Sequence, residues 1–191
     1  MTSDLRPGPD APPADELAGA EAALAVLAQV LHHISSDELS NPTPCSEFDV
    51  AQLTEHLLYS ISVLGGAAGA VFADSDTAES PERRVIAAAR PALDAWHRRG
   101  LQGAVAIGPN ELPATMAVGI LALEFLVHAW DYATATGRTV QVAEPVAEYV
   151  LSRAHAIITP AGRVRAGFDD PVDVPDSASA LQKLIAFTGR S

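Results

Sequence analysis

Three observations predict an all-α protein built as a helical bundle. From Asp15 onward, Leu17, Ala20, Leu24, Leu27, Leu31 and Ile34 recur at alternating spacings of three and four, the single apolar stripe of an amphipathic helix. Asp49 and Gln52 stand three apart at the head of a second apolar-periodic run, the spacing of a capping box. Between Met116 and Trp130 only Glu124 and His128 carry polar side chains, which marks the central helix of a core. Strand-like alternation is scarce throughout.

Taken in order, residues 1–13 hold four prolines and no apolar periodicity, so they are expected to form a disordered arm ahead of one domain over 14–191. The first helix spans 15–35. The second spans 49–65: Asp49 caps it, Phe48 and Leu53 form a hydrophobic staple, and Val50, Leu53, Leu57, Ile61 and Leu64 face inward. The third spans 80–99, with Ser80 as cap, Pro81 at the first helical position and a kink expected at Pro91. Val105-Ala106-Ile107 before Gly108-Pro109-Asn110 reads as a short hairpin or an extended connection. Pro113 then opens a helix over 113–136 that stops at Gly137, and Pro145 sits at the head of another over 144–158. The prolines and glycines of 159–175 predict an extended tail wrapping the body, closed by a short helix over 177–188.

With 191 residues, 48% of them apolar and 19% charged, the chain is long enough for one globular core. The net charge of -12 argues against nucleic acid or an anionic membrane as a partner, since both reward positive charge. A single cysteine, Cys45, forms no internal disulfide, and the acidic, proline-rich start is unlike a signal peptide. A cytoplasmic protein is expected. The apolar run around Glu124 is too short for a membrane span and has a carboxylate near its middle.

That carboxylate is the most informative residue. Glu124 and His128 are four apart and share one helix face. An ionised carboxylate in an apolar core must be paired, protonated or bound to a cation, and its helix offers no Lys or Arg nearby. His56 borders the apolar stripe of the second helix, so it could converge on the pair. Two imidazoles and a carboxylate suit Zn²⁺, Fe²⁺, Ni²⁺ or Mn²⁺ and leave coordination positions open. Spacing alone also allows a plainer reading, in which His56 is a hydrogen-bonded core residue and Glu124–His128 an intrahelical pair.

Thr43-Pro44-Cys45-Ser46-Glu47-Phe48-Asp49-Val50, leading to His56, resembles the entry to the second helix in the mycothiol-dependent maleylpyruvate isomerase group of DinB-like metal-binding bundles. Glu124-Phe125-Leu126-Val127-His128-Ala129-Trp130-Asp131, followed by Ala135-Thr136-Gly137-Arg138, resembles that group's second signature. The ending Leu184-Ile185-Ala186-Phe187-Thr188-Gly189-Arg190 is similar to that of an actinobacterial branch of uncharacterised metal-binding proteins. The resemblance covers most of 15–190. It implies a DinB-like four-helix bundle with a C-terminal tail, holding a divalent metal, commonly zinc, through His56, Glu124 and His128. It further implies mycothiol as the thiol that such a metal activates, with isomerase or S-transferase chemistry on a small electrophile. Two departures stand out. Phe48 occupies a place where Trp is frequent, and the isomerase has an additional C-terminal domain where this chain has only a tail.

Asp131, three after His128, is a candidate to orient that imidazole or a substrate, against the plainer role of a solvated helix-end acid. Arg138 is a candidate carboxylate-binding residue, against that of an exposed helix-end cation. Cys45 reads as structural, His32 and His33 as surface residues, and His97 and His155 have no companion ligands in sequence. Beside the enzyme reading stand a non-catalytic metal- or small-ligand-binding protein and a purely helical interaction protein. A homodimer is an assembly left open.

Overall fold

The computed structural model describes residues 11–45, 47–74, 76–163 and 167–191. Most of the expected N-terminal arm therefore lies outside the described residues. The remainder is mostly helical: α1 (Glu16–Leu31), α2 (Val50–Gly66), α3 (Pro81–Arg99), α4 (Ala114–Ala135), α5 (Glu144–Ile157), α6 (Pro160–Arg163) and α7 (Ala180–Phe187). One antiparallel hairpin, β1 (Ala104–Ile107) and β2 (Asn110–Pro113), joins α3 to α4 around Gly108 at φ 58°.

The caps explain where the helices begin. Asp15 accepts from the Ala18 amide, and Asp49 and Gln52 close the expected reciprocal capping box on α2. Ser80 caps α3, which runs as one helix through Pro91. Four boundaries differ from expectation. The first helix stops at Leu31, because Ser35 and Glu38 form a capping box of their own and draw Ser36–Glu38 into a separate 3₁₀ turn. Pro113 ends β2 instead of opening α4; with no side-chain acceptor it leaves that helix without a side-chain cap. The tail is not wholly extended, since Pro160–Arg163 make a helical turn. Finally, α7 starts at Ala180 because Ser179 has Gln182 at N3 to reciprocate, whereas Ser177 has Ala180 there.

Helices α1, α4, α2 and α3 touch in a closed ring, each against two of the others, with α5 laid on α1 and α4 and α7 on α5 and α4. Helix α4 is the hub. Its 22 residues have the length and hydropathy of a membrane span, yet neighbouring helices cover most of its surface. Phe125, Leu121, Leu126 and Tyr132 from α4 meet Leu27, Leu31, Leu53, Leu57 and Trp96 in the core. A Cβ on Gly65 would come within 2.6 Å of the Ala92 Cβ, so α2 and α3 approach as closely as they do because that position lacks a side chain.

Candidate metal centre

The site forms where α2 faces α4. His56 lies two turns into α2, so the capping box that fixes the helix start also fixes the place of this imidazole. Thr54, two residues before His56, and Tyr132, one turn after His128, bridge the same two helices. The Thr54 hydroxyl donates to the Val50 carbonyl at 2.9 Å and lies 3.0 Å from the Tyr132 hydroxyl, which accordingly donates to it. This buried cross-link sets the register of His56 against His128. The turn before α2 contributes too. Pro42 pairs with Asp49, and Thr43 lies 2.8 Å from the Phe48 carbonyl, bringing the Phe48 ring onto His56 in a stack with centroids 5.1 Å apart.

Glu124 Oε2 sits 3.5 Å from His56 Nε2 and 3.5 Å from His128 Nε2. One ligand atom from each of the three lies within 4.8 Å of the others. Glu124 Oε2 is buried and has no hydrogen-bond partner among the described residues, which an apolar core tolerates poorly. Two ligands about 2.0–2.1 Å from a tetrahedral ion are roughly 3.3–3.4 Å apart, so the observed separations suit a shared divalent cation. The donor set fits as well, with one anionic oxygen and two imidazole nitrogens grouped together.

His128 is oriented from behind. Its Nδ1–H donates to Asp131 Oδ2 at 2.8 Å, which leaves the Nε2 lone pair for the site, the usual arrangement of a metal-ligating histidine. Asp131 is fully buried and receives Arg190 in a two-pronged contact, Nε to Oδ1 at 2.8 Å and Nη2 to Oδ2 at 3.0 Å. The electrostatics follow from these contacts. Burial disfavours the charged form of Glu124, but His128 and His56 outweigh it and hold the carboxyl well below the usual range. Burial likewise works against a charged His128, yet with no ion at the site Asp131 and Glu124 push its pKa up to about 9, so a cation that binds there must displace the Nε2 proton to use its lone pair. Asp131, opposed by burial, is held low by His128 and Arg190.

A cavity of about 250 Å³ opens over the triad, walled by Leu123, Val127, Phe48 and Phe168, with Cys45 and Arg190 at its side. Cys45, Glu47, Gly167, Phe168 and Arg190 also line an adjoining cavity of about 390 Å³ that extends past Asp169 and Asp170. Cys45 is not one of the three converging ligands, and burial pushes its thiol pKa up.

The structure thus brings together His56, Glu124, His128 and Asp131. It places Arg138 elsewhere. That guanidinium bonds Glu38 at 2.7 Å and the His33 carbonyl at 2.7 Å, tying the end of α4 to the 3₁₀ turn, and it does not line the cavity over the triad. The remaining histidines have other contacts: His32 with Glu82 and edge-on with the His33 ring, His97 with Glu21 at 2.6 Å, and His155 against the Phe187 ring. Sequence reasoning missed Arg190 and Phe168. The signal for Arg190 was available, because Thr188-Gly189-Arg190 repeats Thr136-Gly137-Arg138, and a buried Asp131 calls for a cation.

Two uncharacterised proteins of Mycobacterium tuberculosis, one from strain CDC 1551 / Oshkosh and one from strain H37Rv, resemble the chain. Each is 29% identical over 185 residues, spanning 93% of this chain and 98% of its own length. No family model matches the chain, and no solved structure matches it significantly.

Proposed function

We propose that this chain is a DinB-like four-helix metalloprotein that holds one divalent ion, zinc in preference to nickel, iron or manganese, and presents a low-molecular-weight thiol to a small electrophile. The observation that carries this reading is the orphaned Glu124 Oε2, set between two imidazole nitrogens at the floor of an open cavity. Three protein ligands leave exchangeable positions, the mark of a reactive rather than a structural zinc site. A divalent ion held there supplies Lewis acidity, which allows a thiol to be kept deprotonated near neutral pH.

The protein's own groups do the rest. Asp131 keeps His128 in the tautomer that offers Nε2, and Phe48 limits rotation of the His56 ring. Leu123, Val127 and Phe168 make apolar walls that keep bulk water from a bound thiol. The reaction class this supports is addition of the thiol to an activated double bond, giving isomerisation when the thiol leaves again and S-transfer when it stays. Mycothiol, the cytoplasmic setting and the absence of nucleic-acid and membrane partners belong to the same reading, which the sequence resemblance and the net charge of -12 support.

The test is metal analysis of untagged protein, followed by titration of the cobalt-substituted form with mycothiol and simple thiols. An absorption change at sub-millimolar thiol that disappears in His56→Ala is the expected result. A cobalt spectrum indifferent to millimolar thiol would leave a non-catalytic metal protein instead.

A further inference from the structure

Arg190 reaches the metal centre from the far end of the chain, and several independent features put it there. Helix α7 ends in a Schellman motif: the Gly189 amide donates to the Ala186 carbonyl and the Arg190 amide to the Ile185 carbonyl. Gly189 takes φ +84°, and a Cβ there would come within 2.6–2.8 Å of Asp169, so the tail passes this point only as glycine. Arg163, itself buried, donates to the Asp169 and Phe187 carbonyls at 2.8 and 2.7 Å and lies over the Phe187 ring. It fastens the loop at Asp169 to the end of α7. The Arg190 guanidinium then meets both oxygens of Asp131, whose Oδ2 also accepts a hydrogen bond from His128 Nδ1–H.

We propose that Arg190 is a positioning residue of the metal centre, acting on His128 through Asp131, with the C-terminal tail as the strap that carries it. This rests on the metal reading above. A carboxylate that only accepted from His128 could turn about its own torsion inside the core. Gripped at both oxygens by a planar fork, it has one orientation, and so does the imidazole behind it. Outer partners of this kind typically change metal affinity about 10–100-fold. Arg138 supplies an internal control: it occupies the same place in a second Thr-Gly-Arg Schellman turn but contacts Glu38.

The experiment compares full-length wild type with Arg190→Gln, Arg190→Lys, Arg138→Gln and Asp131→Asn, and with the Asp131→Asn/Arg190→Gln double variant. Zinc affinity is read by competition with a chromophoric chelator, ligand geometry by the visible spectrum of the cobalt form, and folding by the melting point of the chelator-treated protein. Arg190→Gln should weaken zinc binding about 10–100-fold and alter the cobalt bands. Arg190→Lys should recover part of the affinity, and Arg138→Gln should leave it unchanged. In the Asp131→Asn background, Arg190→Gln should cost little more, because the two act as one unit. Wild-type zinc affinity and an unchanged spectrum in Arg190→Gln would overturn the proposal, as would fully additive losses or a lowered melting point with metal binding intact. Failure of wild type itself to bind zinc or cobalt would instead bring down the metal reading on which it rests.

Discussion

At the scale of single residues, the molecule places charge where its surroundings already favour it. Glu124 is the plainest case, because its buried oxygen lies where a cation could sit between it and the two imidazoles. Glu124→Gln keeps the shape and removes the anionic ligand, so metal content after dialysis should fall sharply while the far-UV spectrum stays helical; elemental analysis beside circular dichroism checks both. Glu38 makes a different prediction. Arg138, with help from the Ser35 amide, holds its pKa down to about 2. A depressed carboxylate adds stability that is complete above its unfolded pKa, roughly 4.3, and is lost as pH falls through the folded value. The urea midpoint of wild type should therefore drop between about pH 4.5 and 2, and that of Glu38→Gln should start lower at neutral pH and drop less. Parallel acid profiles in the two proteins would show that the Arg138 pair contributes nothing.

Among the elements, local signals and long-range placement separate cleanly. The helix starts at Asp49 and Ser80 and the stop at Gly137 were legible, because a cap is a contract between residues three or four apart. The early stop at Leu31 was not, since the apolar stripe continues through Ile34, which stays buried after the helix has ended. Within the site, Glu124, His128 and Asp131 share one helix and could be read from spacing, while His56 needed the register that Thr54 and Tyr132 impose. Arg138 and Arg190 follow the same Thr-Gly turn, and only packing across 59 residues decides which of them meets Asp131. Gly65 tests the fit of α2 on α3. Gly65→Ala must push its methyl into Ala92 and Phe72, so a loss of about 1–3 kcal/mol is expected in equilibrium urea unfolding.

For the whole molecule, the hub position of α4 dominates. Leu121 and Leu126 are fully buried on it among side chains from several helices, and truncating either to alanine should cost about 2–5 kcal/mol by urea denaturation. A much smaller loss would mean that the ring of helices collapses to fill the space. The hub also dictates an order of events during synthesis. Helix α1 leaves the ribosome first, but its principal neighbour, α4, begins at Ala114, nearly a hundred residues after Glu16. Until then α3 can pair with α2 and, less extensively, with α1, and most of the apolar stripe of α1 stays unmatched. When α4 does emerge, it resembles a membrane-bound segment to any factor that samples hydrophobic nascent chains. Such a chain depends on rapid docking of α1, α2 and α5 onto α4, and a pause in translation once α4 has cleared the ribosome but α5 has not would expose its most aggregation-prone intermediate.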